Sequence, residues 1–293
     1  MLYSRMNEDI KEIRFESDKF PSALKEIPKP PKQLFVRGEI LPQDEIAIAI
    51  VGARKCSSYG KQAAYDIAYG LAKNGVTIVS GLALGIDGEA HKGALDAGGR
   101  TLAVLGSGID ERSIYPYSHK SLAEQVILNG ALISEYEPGT PALPYQFPER
   151  NRIVSGLSVG VVIIEAKEKS GSLITAKLAL EQNRDIFAVP GPIYAPGSKG
   201  TNRLIQEGAK LITGPEDILE ELEISGIEIK KEEESFSDEE KNILNILEAE
   251  ALHTNEIIKT SKMPASEVLT IITILEMKNA VKDVGGNMYV RIL

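Results

Sequence analysis

Between residues 34 and 223 the chain alternates short β-branched runs with stretches of helical spacing, and several of the runs stop at glycine or a small polar residue. Ile46 to Val51 stops at Gly52, Val76 to Val79 at Ser80-Gly81, and Thr101 to Leu105 at Gly106-Ser107-Gly108. Ala131 to Ser134, Val161 to Ile164, Ile186 to Val189 and Lys210 to Ile212 continue the series. Helical spacing fills Ser58 to Lys73, Ile86 to Ala97, Leu122 to Leu128, Leu173 to Gln182 and Asn202 to Glu207. This alternation specifies an α/β fold, a parallel sheet with helices on both faces. All loops that follow parallel strands share one rim, and open α/β proteins bind ligands there.

The chemistry gathers on that rim. Phe147-Pro148-Glu149-Arg150-Asn151-Arg152 precedes the run Val161 to Ile164, and Ser170-Gly171-Ser172 follows it at the start of the next helix. Guanidinium forks beside a helix N-terminus suit an anion, phosphate above all. Arg54, directly after Gly52-Ala53, lies on the same rim, so three arginines are expected near one ligand, with Arg152 packing sideways as the alternative for that residue. The alternative is a structural network in which Glu149 and Glu165 take up those arginines. Phe147 either stacks on a base, as aromatics of single-strand binders do, or staples the helix entry to the core. No acid–base pair accompanies these residues, so the expected ligand is held rather than transformed.

Other motifs point away from cofactors. Gly106-Ser107-Gly108-Ile109-Asp110-Glu111 begins like a dinucleotide fingerprint, but Glu111 occupies the third glycine position and the motif follows an internal strand. No P-loop sequence occurs. Asp87 and His91 share a helix face that a metal could use, yet no further ligand spacing joins them. A capping aspartate and a hydrogen-bonded histidine that hold the Ser80-Gly81 loop are expected instead, with no metal and no cofactor. The lone Cys56 excludes an internal disulfide and is expected to be an inert thiol in a reducing cytoplasm. No apolar run is long enough to span a bilayer, and Met1 to Lys11 lacks a signal-peptide core, so no membrane is expected.

At 293 residues the chain can build a second domain beside the sheet. Its net charge of −9 is uneven: Glu216 to Glu240 holds twelve Asp and Glu against two Lys, so the remainder sums to +1. Thr140 to Leu211, with nine Lys and Arg against six acids, is mildly basic. The expected organisation is a lead-in over 1–33, the sheet domain over 34–223, an acidic linker over 224–236 and a small domain over 237–293. The last contains Asp238 to Leu247, a helix that Thr254 would cap, a helix opened by Pro264-Ala265-Ser266, and a hairpin around Gly285-Gly286. Three helices and a terminal hairpin suggest a winged helix. Its third helix offers only Lys262 and Lys278, among nine acids and six bases from Asp238 onward, so a protein-contact role is expected over duplex reading.

Ile50-Val51-Gly52-Ala53-Arg54, the stretch Val79 to Asp87 with His91, Phe147 to Arg152, Ser170 to Ala176 and Ala188-Val189-Pro190-Gly191 resemble, in order, the DprA/Smf family of DNA-processing proteins. The resemblance runs from about Phe20 to Glu221. It implies an extended Rossmann-like domain that binds single-stranded DNA without strong sequence preference, dimerises, and delivers strands to the RecA recombinase during natural transformation. It implies DNA contacts from Arg54, from Phe147 to Arg152 and from Ser170 to Ser172; Ser80, Gly81, Gly106, Ser107 and Gly108 lie on the same rim. Two departures stand out: the lead-in is too short for the helical N-terminal domain of many members, and Ala53 stands where serine is frequent. A nucleotide sensor and a phosphoribohydrolase-like enzyme are the alternative readings of such a rim. The hydrolase would carry a Pro-Gly-Gly-x-Gly-Thr loop, where this chain has Ser170-Gly171-Ser172-Leu173-Ile174-Thr175.

Overall fold

The computed structural model describes residues 10–224, 236–247, 251–277 and 280–291. The chain divides into two compact units, Met1–Ile229 and Lys230–Leu293. The first is built on a nine-stranded sheet: β1 (Ile10–Arg14), β2 (Gln33–Gly38), β3 (Ala47–Val51), β4 (Thr77–Ser80), β5 (Thr101–Leu105), β6 (Gly130–Ser134), β7 (Gly160–Ile163), β8 (Asp185–Ala188) and β9 (Lys210–Leu211). Its order is β1-β2-β6-β5-β4-β3-β7-β8-β9. From β6 to β9 the neighbours are parallel, whereas β1 and β2 pair antiparallel on the β6 edge.

Helices cover both faces because the central strands are apolar at every position rather than at every second one. In β3 the side chains of Ala47, Ala49 and Val51 enter one core, and those of Ile48 and Ile50 the other. Helices α1 (Ser22–Lys25), α5 (Gln146–Gly156) and α6 (Gly171–Glu181) bury Leu24, Ile153, Val154, Ala176 and Ala179 in the first core. Against the other face, α2 (Ser58–Lys73) and α3 (Ile86–Asp96) pack Ile67, Leu71 and Ala90, while α4 (Lys120–Asn129) adds Leu122 and Val126. Further along, α7 (Lys199–Gln206) follows β8 and α8 (Glu216–Glu221) follows β9.

The lead-in is more than a tail. Ile10–Arg14 forms edge strand β1, and Phe20, Leu24 and Ile27 are buried in the core, so the described part of 1–33 belongs to the sheet unit. The acidic linker lies almost wholly outside the described residues.

The second unit has the winged-helix order: α9 (Asp238–Ile246), β10 (Leu252–His253), α10 (Thr254–Ser261), α11 (Ala265–Met277), then β11 (Val281–Gly285) and β12 (Met288–Arg291). Its three strands pair in the order β10-β12-β11. Ser237 and Glu240 close a capping box at α9. The cap of α10 is His253, whose Nδ1 accepts from the Asn255 N–H; Thr254 is already helical and donates instead to the Asn287 carbonyl across the wing. Along α11 the exposed positions include Leu269, Thr270, Thr273 and Ile274, none of them basic; Lys278 lies outside the described residues.

Phe187, fully buried on β8, packs where a Cβ on Gly160 of β7 would stand. Phe187→Ala is expected to cost about 3–5 kcal/mol. In a urea titration the midpoint should fall with little change in slope.

Candidate nucleic-acid interface

The strand order creates the site. From β3 the chain steps outward through β4, β5 and β6, then returns through α5 to place β7 on the other side of β3. The loops after β3 and β7 therefore leave toward α2 on one face and α6 on the other, opening a crevice at the carboxyl edge. A cleft of ≈ 590 Å³ lies there. It is lined by the β3 loop (Gly52 to Lys55), Gly81 and Asp87 after β4, Tyr115 after β5, Phe147, Arg150 and Asn151 on α5, and Lys167 and Lys169 to Ser172 after β7. Among its lining residues five are cationic and only Asp87 is acidic.

Arg54 is exposed, and its guanidinium sits 5.0 Å from the centroid of the Phe147 ring. Phe147 is half-buried, with Tyr115, itself 50% exposed, 5.8 Å away at a tilt of 43°. A cation over the ring face gains from the ring quadrupole, which favours the guanidinium at this position beside the cleft. Phe147 is thus presented to the cleft, and it rests on Gly106, where a Cβ would stand 3.1 Å from the ring. On the far wall Ser170 caps α6. Its hydroxyl accepts weakly from the Ser172 N–H and pairs with the Ser172 hydroxyl at 2.8 Å. The first turn of an eleven-residue helix so faces the cleft with the Lys167 and Lys169 side chains before it.

Arg150 plays a different part from the one its residue type suggests. Its guanidinium is buried under the cleft and donates to the carbonyls of Gly81 (2.8 Å) and Val104. Any side chain on Gly81 would overlap it, so only glycine admits the contact. Asp87 supplies the countercharge while accepting from the N–H groups of Gly81 (3.1 Å) and Ala83 (3.4 Å). Burial pulls Arg150 down to about 10 against the opposing effect of Asp87, and burial likewise pushes the Asp87 carboxyl up, countered first by Arg150. The two carbonyl contacts of Arg150 fix α5, and with it Phe147, onto the ends of β4 and β5.

The expectation that three arginines meet one ligand is corrected here. Arg152 turns away and pairs with Glu135 at 2.6 Å, because residues two apart on a helix do not share a face. Glu149 and Glu165 take neither arginine: Glu149 accepts from the Tyr136 hydroxyl, and Glu165 from the Ser57 N–H and hydroxyl. Ser80 is fully buried and donates to the Ile50 carbonyl, and Ser107 is buried after β5, so neither side chain lines the cleft. Gly108 lies aside, its N–H bonded to Thr140. Asn151 lines the cleft and makes only a long contact, 3.5 Å, to the Gly171 carbonyl. Lys55, Lys167, Lys169 and Tyr115 were not singled out in the sequence. The signal for the last two lysines is their place in Lys167-Glu168-Lys169, which leads into Ser170.

Asp87 does hold the β4 loop as expected, but His91 instead pairs its Nδ1 with the Thr101 hydroxyl at 2.7 Å. Among the described residues no cluster of three metal-ligating side chains occurs. Cys56 is partly buried, and burial pushes its thiol up. His91 is wholly buried; burial, joined by His119 and Arg150, holds its imidazole down at about 3, against an ordinary 6.5. Between pH 6.5 and 3 the unfolded chain therefore gains a proton that the folded chain refuses, so stability is present above 6.5 and falls with pH. The expected slope from this group is about 1.4 kcal/mol per pH unit. Urea titrations should show that slope missing from His91→Gln; equal slopes in both proteins would contradict it.

A family model described as DNA recombination-mediator protein A matches residues 11–223, and one described as the DprA winged helix domain matches residues 230–287. Protein Smf of Escherichia coli is 40% identical over 290 residues, spanning 96% of this chain and 77% of its own. DNA processing protein DprA of Bacillus subtilis is 44% identical over 223 residues, 76% of this chain and 74% of its own. The X-ray structure of DprA from Streptococcus pneumoniae superposes with a TM-score of 0.68 at 42% identity, covering 74% of this chain and 76% of that one. That of DprA from Helicobacter pylori, reported for its single-stranded DNA binding mode, gives 0.66 at 33% identity over 74% of this chain and 97% of its own.

Proposed function

This chain belongs to the DprA/Smf family of DNA-processing proteins, and from that premise we propose that its rim cleft holds single-stranded DNA without strong sequence preference. The observation that carries the reading is the Arg54 guanidinium lying over Phe147 at the mouth of a cationic cleft. Phosphate would take the guanidinium of Arg54, the ammonium groups of Lys167 and Lys169, and the N–H groups that open α6. A base would lie on Phe147 or Tyr115, and every base has a π-face, which makes such contacts tolerant of sequence. Bases paired within a duplex have no free face to offer, so the single strand is preferred. The binding described for the Helicobacter pylori relative supports the same ligand class here.

The ligand would be held, not cleaved. Asp87, the one carboxylate lining the cleft, is engaged by Arg150 and two backbone N–H groups, which leaves no partner for acid–base chemistry. Delivery of the bound strand to the RecA recombinase is part of the proposal, supported by the family's description as a recombination mediator. Homodimerisation is proposed too, since one strand across two clefts binds more tightly than across one. Such a ligand implies action in the cytoplasm. Among the described residues no helix is long and apolar enough to cross a membrane.

Fluorescence anisotropy with an oligothymidine tests this. Arg54→Ala and Phe147→Ala should each weaken binding by about 1–3 kcal/mol. Arg54→Ala should also reduce the log–log salt slope by about 0.7, one phosphate contact on a single strand. Arg152→Ala, which removes an arginine paired to Glu135, should change affinity little. Unaltered binding by Arg54→Ala would contradict the proposal, and stabilisation by a mononucleotide alone would favour the sensor.

A further inference from the structure

The rim continues past the cleft over the end of β8, where the loop Pro190 to Ser198 carries Ile193 and Tyr194, 72% and 90% exposed. Large side chains so exposed on a free loop would be unremarkable. This loop, however, is tied at several points. Gly191 exchanges two hydrogen bonds with the Asn202 side chain, at 3.2 and 2.9 Å. The Ala195 N–H closes a turn on the Pro192 carbonyl, and the Gly197 carbonyl accepts from the Ala166 N–H at 2.7 Å. From the other side Tyr59, 52% exposed at the start of α2, donates its hydroxyl to the Pro190 carbonyl at 3.0 Å. The loop is thereby fixed to the segment after β7 and to α2, the helix that follows the β3 loop of the cleft.

Distance and charge agree with a shared ligand. Glu165 bonds to Ser57 and lies 3.4 Å from where a Cβ on Gly197 would stand. Arg54 is three residues from Ser57 and Tyr194 three from Gly197, each at most about 11 Å of chain. The elements that anchor the loop carry exposed cations, Lys61 on α2 and Lys199 at the start of α7, the latter 3.4 Å from the exposed Glu168. The opposite arm of the rim differs: the wide cleft beside Tyr115 and Tyr117 is lined by Glu12, Asp110 and Glu111 with only Arg112 for a base. A polyanion leaving the central cleft meets cations in one direction and carboxylates in the other.

We propose that Tyr194, supported by Tyr59 and Ile193, forms a second base-stacking platform, so that a single strand leaves the Arg54–Phe147 cleft toward β8 and stacks there. The inference rests on the single-strand reading above and adds the direction of the strand and its next contact. A pre-ordered aromatic platform gains stacking without first having to order its own loop.

The test is the length dependence of binding, measured by anisotropy with oligothymidines of about four and about 16 nucleotides. Tyr194→Ala should leave the short strand bound as before and weaken the long one by at least about fivefold. Tyr194→Phe, which keeps the ring, should restore the long-strand affinity. Arg54→Ala should weaken both lengths. Unchanged long-strand affinity in Tyr194→Ala, equal losses at both lengths, or an altered oligomeric state in that variant would each overturn the platform while leaving the cleft standing. Failure of the unsubstituted protein to bind either strand would overturn the single-strand reading and the platform with it.

Discussion

Two parallel strands, β3 and β7, lie side by side yet send their chains to opposite faces of the sheet. Backbone hydrogen bonds fix the strands at neighbouring positions, and the helices that follow cannot occupy the same face. A crevice between the two departing loops is the geometric consequence. Everything the site offers is arranged around it: Arg54 on one loop, Lys167 to Ser172 on the other, and Phe147 leaning in from α5. The sheet thus supplies a rigid edge, and short loops turn it into a surface for a polyanion.

That surface needs α5 held in place, and the buried Arg150 guanidinium does so through two backbone carbonyls. Arg150 reaches beneath the cleft to the carbonyls of Gly81 and Val104, with Asp87 as its countercharge. A buried pair is weak evidence for stability, because desolvation offsets much of the attraction. The contribution of Arg150 here is positional: it sets the height of Phe147 over the rim, and Phe147 in turn carries Arg54. The three rim arginines therefore do different things: Arg150 builds the floor, and Arg54 stands at the mouth of the cleft. Arg152 belongs to neither and closes an ion pair with Glu135.

Much of this was legible in the sequence, for identifiable reasons. A strand such as Ala47 to Val51 announces itself because both faces are buried, so every position is apolar, and glycine marks where several of the strands stop. The rim followed from parallel topology alone. The strand order did not, because pairing β3 with β7 joins segments more than a hundred residues apart and no local pattern records it. Edge strand β1 is not legible in the sequence, since Ile10–Arg14 carries charge at three of its five positions and lacks period-two alternation, as a charged edge can. The separate fates of Arg150 and Arg152 could have been read from their spacing of two on a helix. That Arg150 would be buried depended on Gly81 and Asp87, whose proximity only the fold reveals.

The most direct measurement is a crystal structure of the protein with a bound oligothymidine. The account predicts a base against the Phe147 ring and a phosphate within hydrogen-bond distance of Arg54, with the strand running between the β3 and β7 loops. A strand bound elsewhere on the sheet unit, or only on the winged helix, would contradict it.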